Sequence, residues 1–143
     1  MSPHDLALIL AVIACVIGGG LGGFAIARPQ DAIEMVGLKL DPDKPHSVAE
    51  VRATFGGLFL LSHAATAAAL GYAPTVGAAM ALALAFCWLG AAAARGYSMI
   101  KEDAPTPFNT GALIFEMLMG LTLALPFWSL TSLAALGGGP VVV

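Results

Sequence analysis

Apolar residues in this chain come in long runs, with only isolated polar positions inside them, rather than at the short spacing of a half-buried soluble helix or strand. Four stretches reach the roughly 20 mostly apolar residues that carry an α-helix across bilayer hydrocarbon. They cover approximately 6–27, 49–72, 75–94 and 109–133. Helix breakers separate them. "RPQ" follows the first, "GYAP" turns between the second and third with Pro74 placed to open a helix, and "EDAPTP" precedes the fourth. The pattern predicts an all-α fold: a single transmembrane domain over residues 1–143, built as a four-helix bundle.

The connection over residues 28–48 breaks this pattern. "RPQDAIEMVGLKLDPDKPHS" is rich in acids and holds Lys39 and Lys44. Within it, "DAIEMVGL" sets Ile33, Met35, Val36 and Leu38 among charges, which fits a short helix lying on a membrane surface as well as it fits a solvated loop. The tail "GGGPVVV" has no helix signal.

Composition sharpens the picture. Of 143 residues, 59% are hydrophobic and 10% charged, with a mean hydropathy of +0.89. A soluble domain carries about 25% charged residues, so lipid is the expected solvent. The first apolar run has no basic residue before it and, from Leu6 to Ala27, outlasts a secretion-signal core. It is read as a retained span. The net charge is −3, and no Lys/Arg cluster could follow a phosphate backbone, so no nucleic-acid partner is expected.

The basic residues set an orientation. Arg28, Lys39, Lys44, Arg52, Arg95 and Lys101 all lie in or beside the first and third connections. By the positive-inside rule these connections face the cytoplasm and both termini face the opposite side. A bacterial inner membrane is the expected location.

Candidate chemistry is sparse. Glu116 is the one acid deep in a span, about 10 Å in from Asn109 at 1.5 Å per residue. A lone carboxylate in hydrocarbon costs several kcal/mol, so it is protonated, hydrated or paired. Arg95 closes the third span on the same side, across a short connection, and is the simplest partner. Glu50 and Arg52 open the second span at the same expected level, about 200° apart around the helix. Glu50, Arg52, Arg95 and Glu116 together form a candidate polar cluster: a fold-specifying ion-pair network, a ligand site, or part of an ion path.

His63 continues the Arg52, Gly56, Phe59 face of the second span. An axial ligand to a haem or chlorophyll is its weak functional reading, and a hydrogen bond to a neighbouring helix the commoner one. No cofactor is expected. Cys15 and Cys87 sit in apolar runs without metal-ligand spacing, and no metal site or catalytic residue is assigned. Trp88 and Trp128 read as packing residues or interface anchors. "GGGLGG" holds two overlapping small-residue pairs, Gly18 with Gly22 and Gly19 with Gly23. Gly19, Gly23, Gly56, Gly57 and Gly120 are the candidate helix-packing positions, because small residues let helix backbones approach closely in lipid. The close approach serves the bundle itself or another chain.

Two stretches, "AEVRATFGGLF" and "AARGYSMIKEDAPTP...IFEMLMG", give the chain a family resemblance. It resembles small bacterial four-span membrane proteins grouped under a domain of unknown function. The resemblance places an E-x-R-x-x-[YF]-G-G motif at Glu50, Arg52, Phe55, Gly56 and Gly57. It also places an Arg-x-x-Ser at Arg95 and Ser98, and the fourth-span acid at Glu116. The family's usual Asp-Gly after the third span stands here as Asp103-Ala104. The resemblance implies a four-helix membrane bundle and no particular reaction.

Three readings of function follow. The first is a non-catalytic accessory or scaffold subunit of a larger inner-membrane complex, with membrane lipids and other integral membrane subunits as partners. The second is an enzyme or binding protein for a lipophilic molecule such as an isoprenoid, a quinone or a sterol-like lipid. The third is a small dimeric transporter.

Overall fold

The computed structural model describes the backbone of residues 1–41, 43–44 and 46–137 and the side chains as far as residue 130. The tail from residue 138 onward, and with it most of "GGGPVVV", lies outside the described residues. The described residues are helical with short connections and contain no strand. The fold class is all-α. In chain order the helices are α1 (Pro3–Ala27), α2 (Pro29–Met35), α3 (His46–Tyr72), α4 (Pro74–Lys101) and α5 (Pro107–Gly137). Pro29, Pro74 and Pro107 each open a helix, where the missing N–H costs nothing.

Four of these helices are long and apolar enough to cross a membrane: α1, α3, α4 and α5 as far as Leu130. Their packing reverses the soluble pattern. The buried stripe of α1 is Ala7, Ala11 and Ala14, and that of α4 is Ala78, Ala81, Ala85, Trp88 and Ala92. Large apolar side chains point outward instead, among them Ile9, Ile13, Val16, Leu61, Phe86, Leu118 and Leu121. Water would oppose such a surface, whereas hydrocarbon accepts it and leaves close packing of small residues to hold the helices. The chain is a small multi-pass membrane protein.

Two compact units are distinguished, Met1–Ala14 with Ala68–Val143, and Cys15–Ala67. In the first, α4 packs along α5. Gly120 makes this close: a Cβ there would lie 2.6 Å from Leu89 Cγ and 3.1 Å from the Ala85 carbonyl. Trp88 meets Phe115 edge-on, with ring centroids 5.6 Å apart. His4 Nδ1 hydrogen-bonds Ser129 Oγ at 2.8 Å, and that hydroxyl donates to the Pro126 carbonyl at 2.9 Å.

In the second unit, the later part of α1 packs on the earlier part of α3. A Cβ on Gly22 would collide with the Leu60 backbone nitrogen and lie 2.7 Å from the Gly56 carbonyl oxygen. One on Gly56 would sit 3.2 Å from the Ile26 nitrogen. The short α2 overlaps the first half of "DAIEMVGL": Ile33 is buried while Asp31 and Glu34 are exposed. It ends in a Schellman motif. Gly37, at φ +78°, donates to Glu34 O, and Leu38 N–H reaches back to Ile33 O.

Within α3, the segment Val51–Gly57 is π-helical. The Leu58 N–H bonds Ala53 O, five residues back, so this turn is wider than an α-turn. The segment coincides with most of the E-x-R-x-x-F-G-G stretch, where two adjacent glycines ease the distortion.

Candidate functional site

A polar site lies in the first unit, where α4 ends and α5 begins. The start of α5 is fixed locally. Thr106 precedes Pro107, its Oγ1 accepts the Asn109 N–H at 3.2 Å, and its carbonyl accepts the Thr110 hydroxyl at 3.0 Å. Asn109 and Glu116 are seven residues apart, two helical turns, so they share a face of α5. Arg95 reaches this face from α4.

Its guanidinium grips the carboxylate on both oxygens. Nη2 donates to Glu116 Oε1 at 2.6 Å, and Nε donates to Oε2 at 3.0 Å and Oε1 at 3.1 Å. Nη1 donates to Asn109 Oδ1 at 3.3 Å, and Asn109 Nδ2 donates in turn to the Ala104 carbonyl at 3.0 Å. The Glu116 side chain is 8% exposed and that of Arg95 27%. The network thus ties the end of α4, the connection and the first turns of α5 together. Forked Arg–carboxylate geometry of this kind is among the stronger polar contacts available. Beside it opens a cleft of about 310 Å³, lined by Ala91, Ala94, Arg95, Ser98, Asn109 and Glu116.

Glu50 and Arg52 lie in the second unit, and both are exposed. Arg52 Nε donates to the Ile26 carbonyl at 3.0 Å. That carbonyl belongs to the last turn of α1, which has no helical N–H to receive, so Arg52 caps α1.

His63 is buried in the same unit. Its Nδ1 is 2.8 Å from the Phe59 carbonyl, and its ring stacks on that of Phe59 at 5.6 Å. The Nε2 edge faces Gly18, where a Cβ would collide with the ring. His63 Nδ1 is thus held within α3, and its Nε2 edge lies against Gly18 of α1.

The glycines divide by helix face. Gly18 and Gly22 carry the tight α1–α3 approach, and Gly56 and Gly120 are likewise closed in. A Cβ at Gly19 would meet His63 Cβ at 3.6 Å and Leu60 O at 3.8 Å, ordinary contact distances. One at Gly57 would meet only Arg52 O, at 3.6 Å, and one at Gly23 meets nothing within 4 Å. Gly19, Gly20 and Gly23 instead line an apolar groove of about 310 Å³ together with Cys15, Val16, Leu60, Ala64 and Ala67. Among the described residues no group of three or more His, Cys, Asp or Glu side chains is arranged to hold a metal ion.

Sequence reasoning passed over Asn109 as a site residue. Its signal was the seven-residue spacing to Glu116, which puts an amide on the same face as the carboxylate.

Among known families, the model described as Domain of unknown function (DUF4345) matches residues 5–127. No curated protein and no solved structure matches the chain.

Proposed function

The chain belongs to the family defined by Domain of unknown function (DUF4345), and on that premise we propose that it is a non-catalytic accessory or scaffold subunit of a larger inner-membrane complex in a bacterium. The observation that carries this reading is the state of Glu116. The one carboxylate deep in a span is buried and held on both oxygens by Arg95, an arrangement suited to fixing a helix hairpin rather than to moving protons. The open groove at Gly19, Gly20 and Gly23 supports a neighbouring membrane helix as partner, since small residues there leave its path unobstructed.

Gentle purification from native membrane, with co-purifying proteins identified by mass spectrometry, tests this. A stoichiometric set of integral membrane partners is expected. Gly23→Leu should release the protein from that set while its melting temperature in detergent stays near wild type, because a Cβ at Gly23 meets nothing within 4 Å among the described residues. Isolation as a lone protein without partners contradicts the subunit reading.

The orientation proposed with it follows from the six basic residues, all in or beside the first and third connections. Alkaline phosphatase fused to the C-terminus should be active and a green fluorescent protein fusion dark. The reverse pattern overturns the orientation.

A second reading is favoured by the cleft beside Arg95: a binding protein for a lipophilic molecule, with Arg95, Asn109 and Glu116 as candidate recognition groups. Polar groups converging beside a small-residue surface are the usual make-up of such a site.

A further inference from the structure

The polar network at the end of α4 leaves hydrogen-bonding capacity turned toward the cleft. Arg95 uses Nε, one N–H of Nη1 and one N–H of Nη2 within the protein. The second N–H on each of Nη1 and Nη2 has no acceptor among the described residues, and the side chain is 27% exposed where it lines the cleft. Ser98, one turn further along α4, adds a hydroxyl to the same lining. The cleft is therefore rich in donors.

Its charge, however, is balanced. The Arg95 guanidinium is matched by the Glu116 carboxylate at 2.6 Å. The adjoining Lys101-Glu102-Asp103 sets one base against two acids. Nothing here supplies the surplus positive charge that a phosphate or carboxylate head group needs when it leaves water. An oxygen that accepts hydrogen bonds without carrying charge fits this lining.

The apolar side of the cleft points to the rest of such a molecule. Ala91 and Ala94 form its wall, and Cys87, Ala91, Ala94 and Ser98 follow one another at spacings of three and four residues, so they share one face of α4. All four are exposed. This is a smooth track, running from the polar end of the helix into its apolar length, along which a hydrocarbon chain can lie.

We propose that the cleft lined by Arg95, Ser98 and Asn109 binds an uncharged lipophilic molecule through a hydroxyl or carbonyl oxygen, with its apolar body along the Cys87–Ala91–Ala94 face of α4. The inference rests on the second reading above and narrows its ligand class. Isoprenoid alcohols, quinones and sterols share the required oxygen, whereas isoprenoid diphosphates lack the uncharged head.

The experiment is a set of titrations of the purified full-length protein in detergent with farnesol, decylubiquinone, cholesterol and farnesyl diphosphate. Thermal stabilisation reports binding by mass action, and competition with the first ligand found reports a shared site. At least one of the three uncharged probes should bind saturably, and the one that binds tightest identifies the source. Farnesyl diphosphate should compete at least tenfold more weakly. Ala94→Phe fills the cleft while leaving both partners of the ion pair in the chain, and should abolish binding. Ser98→Ala should weaken binding about threefold to tenfold, the worth of one hydrogen bond. Both sites are exposed, so the unliganded melting temperatures should remain at the wild-type value. Tight binding of farnesyl diphosphate that Ala94→Phe abolishes would overturn the uncharged head group while leaving a lipophilic-ligand site in place. Absence of saturable binding by all four probes, or binding indifferent to Ala94→Phe, would overturn both.

Discussion

Arg95→Ala is expected to destabilise the protein by about 3–5 kcal/mol, because it leaves the buried Glu116 carboxylate without its partner, and Glu116→Ala by less, because the guanidinium it strands is partly exposed. The cost should be far from additive. Glu116 accepts three hydrogen bonds from Arg95, and its side chain is only 8% exposed. A double variant strands no charge, so its loss should fall well short of the two single losses combined. Arg95→Ala should cost somewhat more than Glu116→Ala, since it also removes the donor to Asn109 Oδ1. Thermal unfolding of the two single variants and the double variant in one detergent measures the coupling. Additive losses would mean that the pair contributes no interaction energy to the fold, and would leave Glu116 available for chemistry.

The second large effect concerns the glycines of α1. Gly22→Ala is expected to destabilise by about 1–3 kcal/mol or more, the range for forcing a methyl group into a packed interface. The obstacles at Gly22 are backbone atoms, the Leu60 nitrogen and the Gly56 carbonyl oxygen, which cannot swing aside as a side chain can. Gly23→Ala, one position along, meets nothing within 4 Å. It should be neutral or stabilising by up to about 1 kcal/mol, the helix propensity gained when alanine replaces glycine. Gly18→Ala should resemble Gly22→Ala, because the His63 ring occupies the space and is itself held by the Phe59 carbonyl. Equal melting temperatures for Gly22→Ala and Gly23→Ala would contradict this packing of α1 on α3.

These two predictions draw on different degrees of legibility in the sequence. The spans were readable because hydrocarbon imposes a length and excludes charge, and a run such as 109–133 meets both conditions with a single acid inside it. The partnership of Arg95 with Glu116 was readable for a related reason. A deep acid needs a counter-charge, and a short connection between two helices leaves few places from which one can come. The face that α1 turns inward was not readable. "GGGLGG" offers two small-residue pairs in overlapping registers, and α1 carries large apolar residues on the sides that lipid covers, so no polar face marks the outside. The choice of Gly18 and Gly22 for close approach depends on the rotation of α1 against Leu60 and His63, a tertiary fact with no local signature.

The same holds for the second span. The glycine pair at 56–57 announces a weak point in a helix, but nothing in "VRATFGG" distinguishes a π-turn from an ordinary one. The role of Arg52 as a cap on the Ile26 carbonyl also follows from tertiary packing, which brings the end of α1 beside the start of α3. Charge alone drew attention to Arg52, and charge alone pointed toward an acidic partner rather than a backbone oxygen.

The central claim is that Glu116 serves the fold as the ionised partner of Arg95. Infrared difference spectroscopy of wild type against Glu116→Gln, in lipid at neutral pH, addresses that charge state directly. The difference spectrum should lose a carboxylate stretching band and show no loss of a protonated carboxyl C=O band. A C=O band present in wild type and missing from Glu116→Gln would mean that the carboxyl is protonated, and the ion-pair account of Glu116 would be wrong.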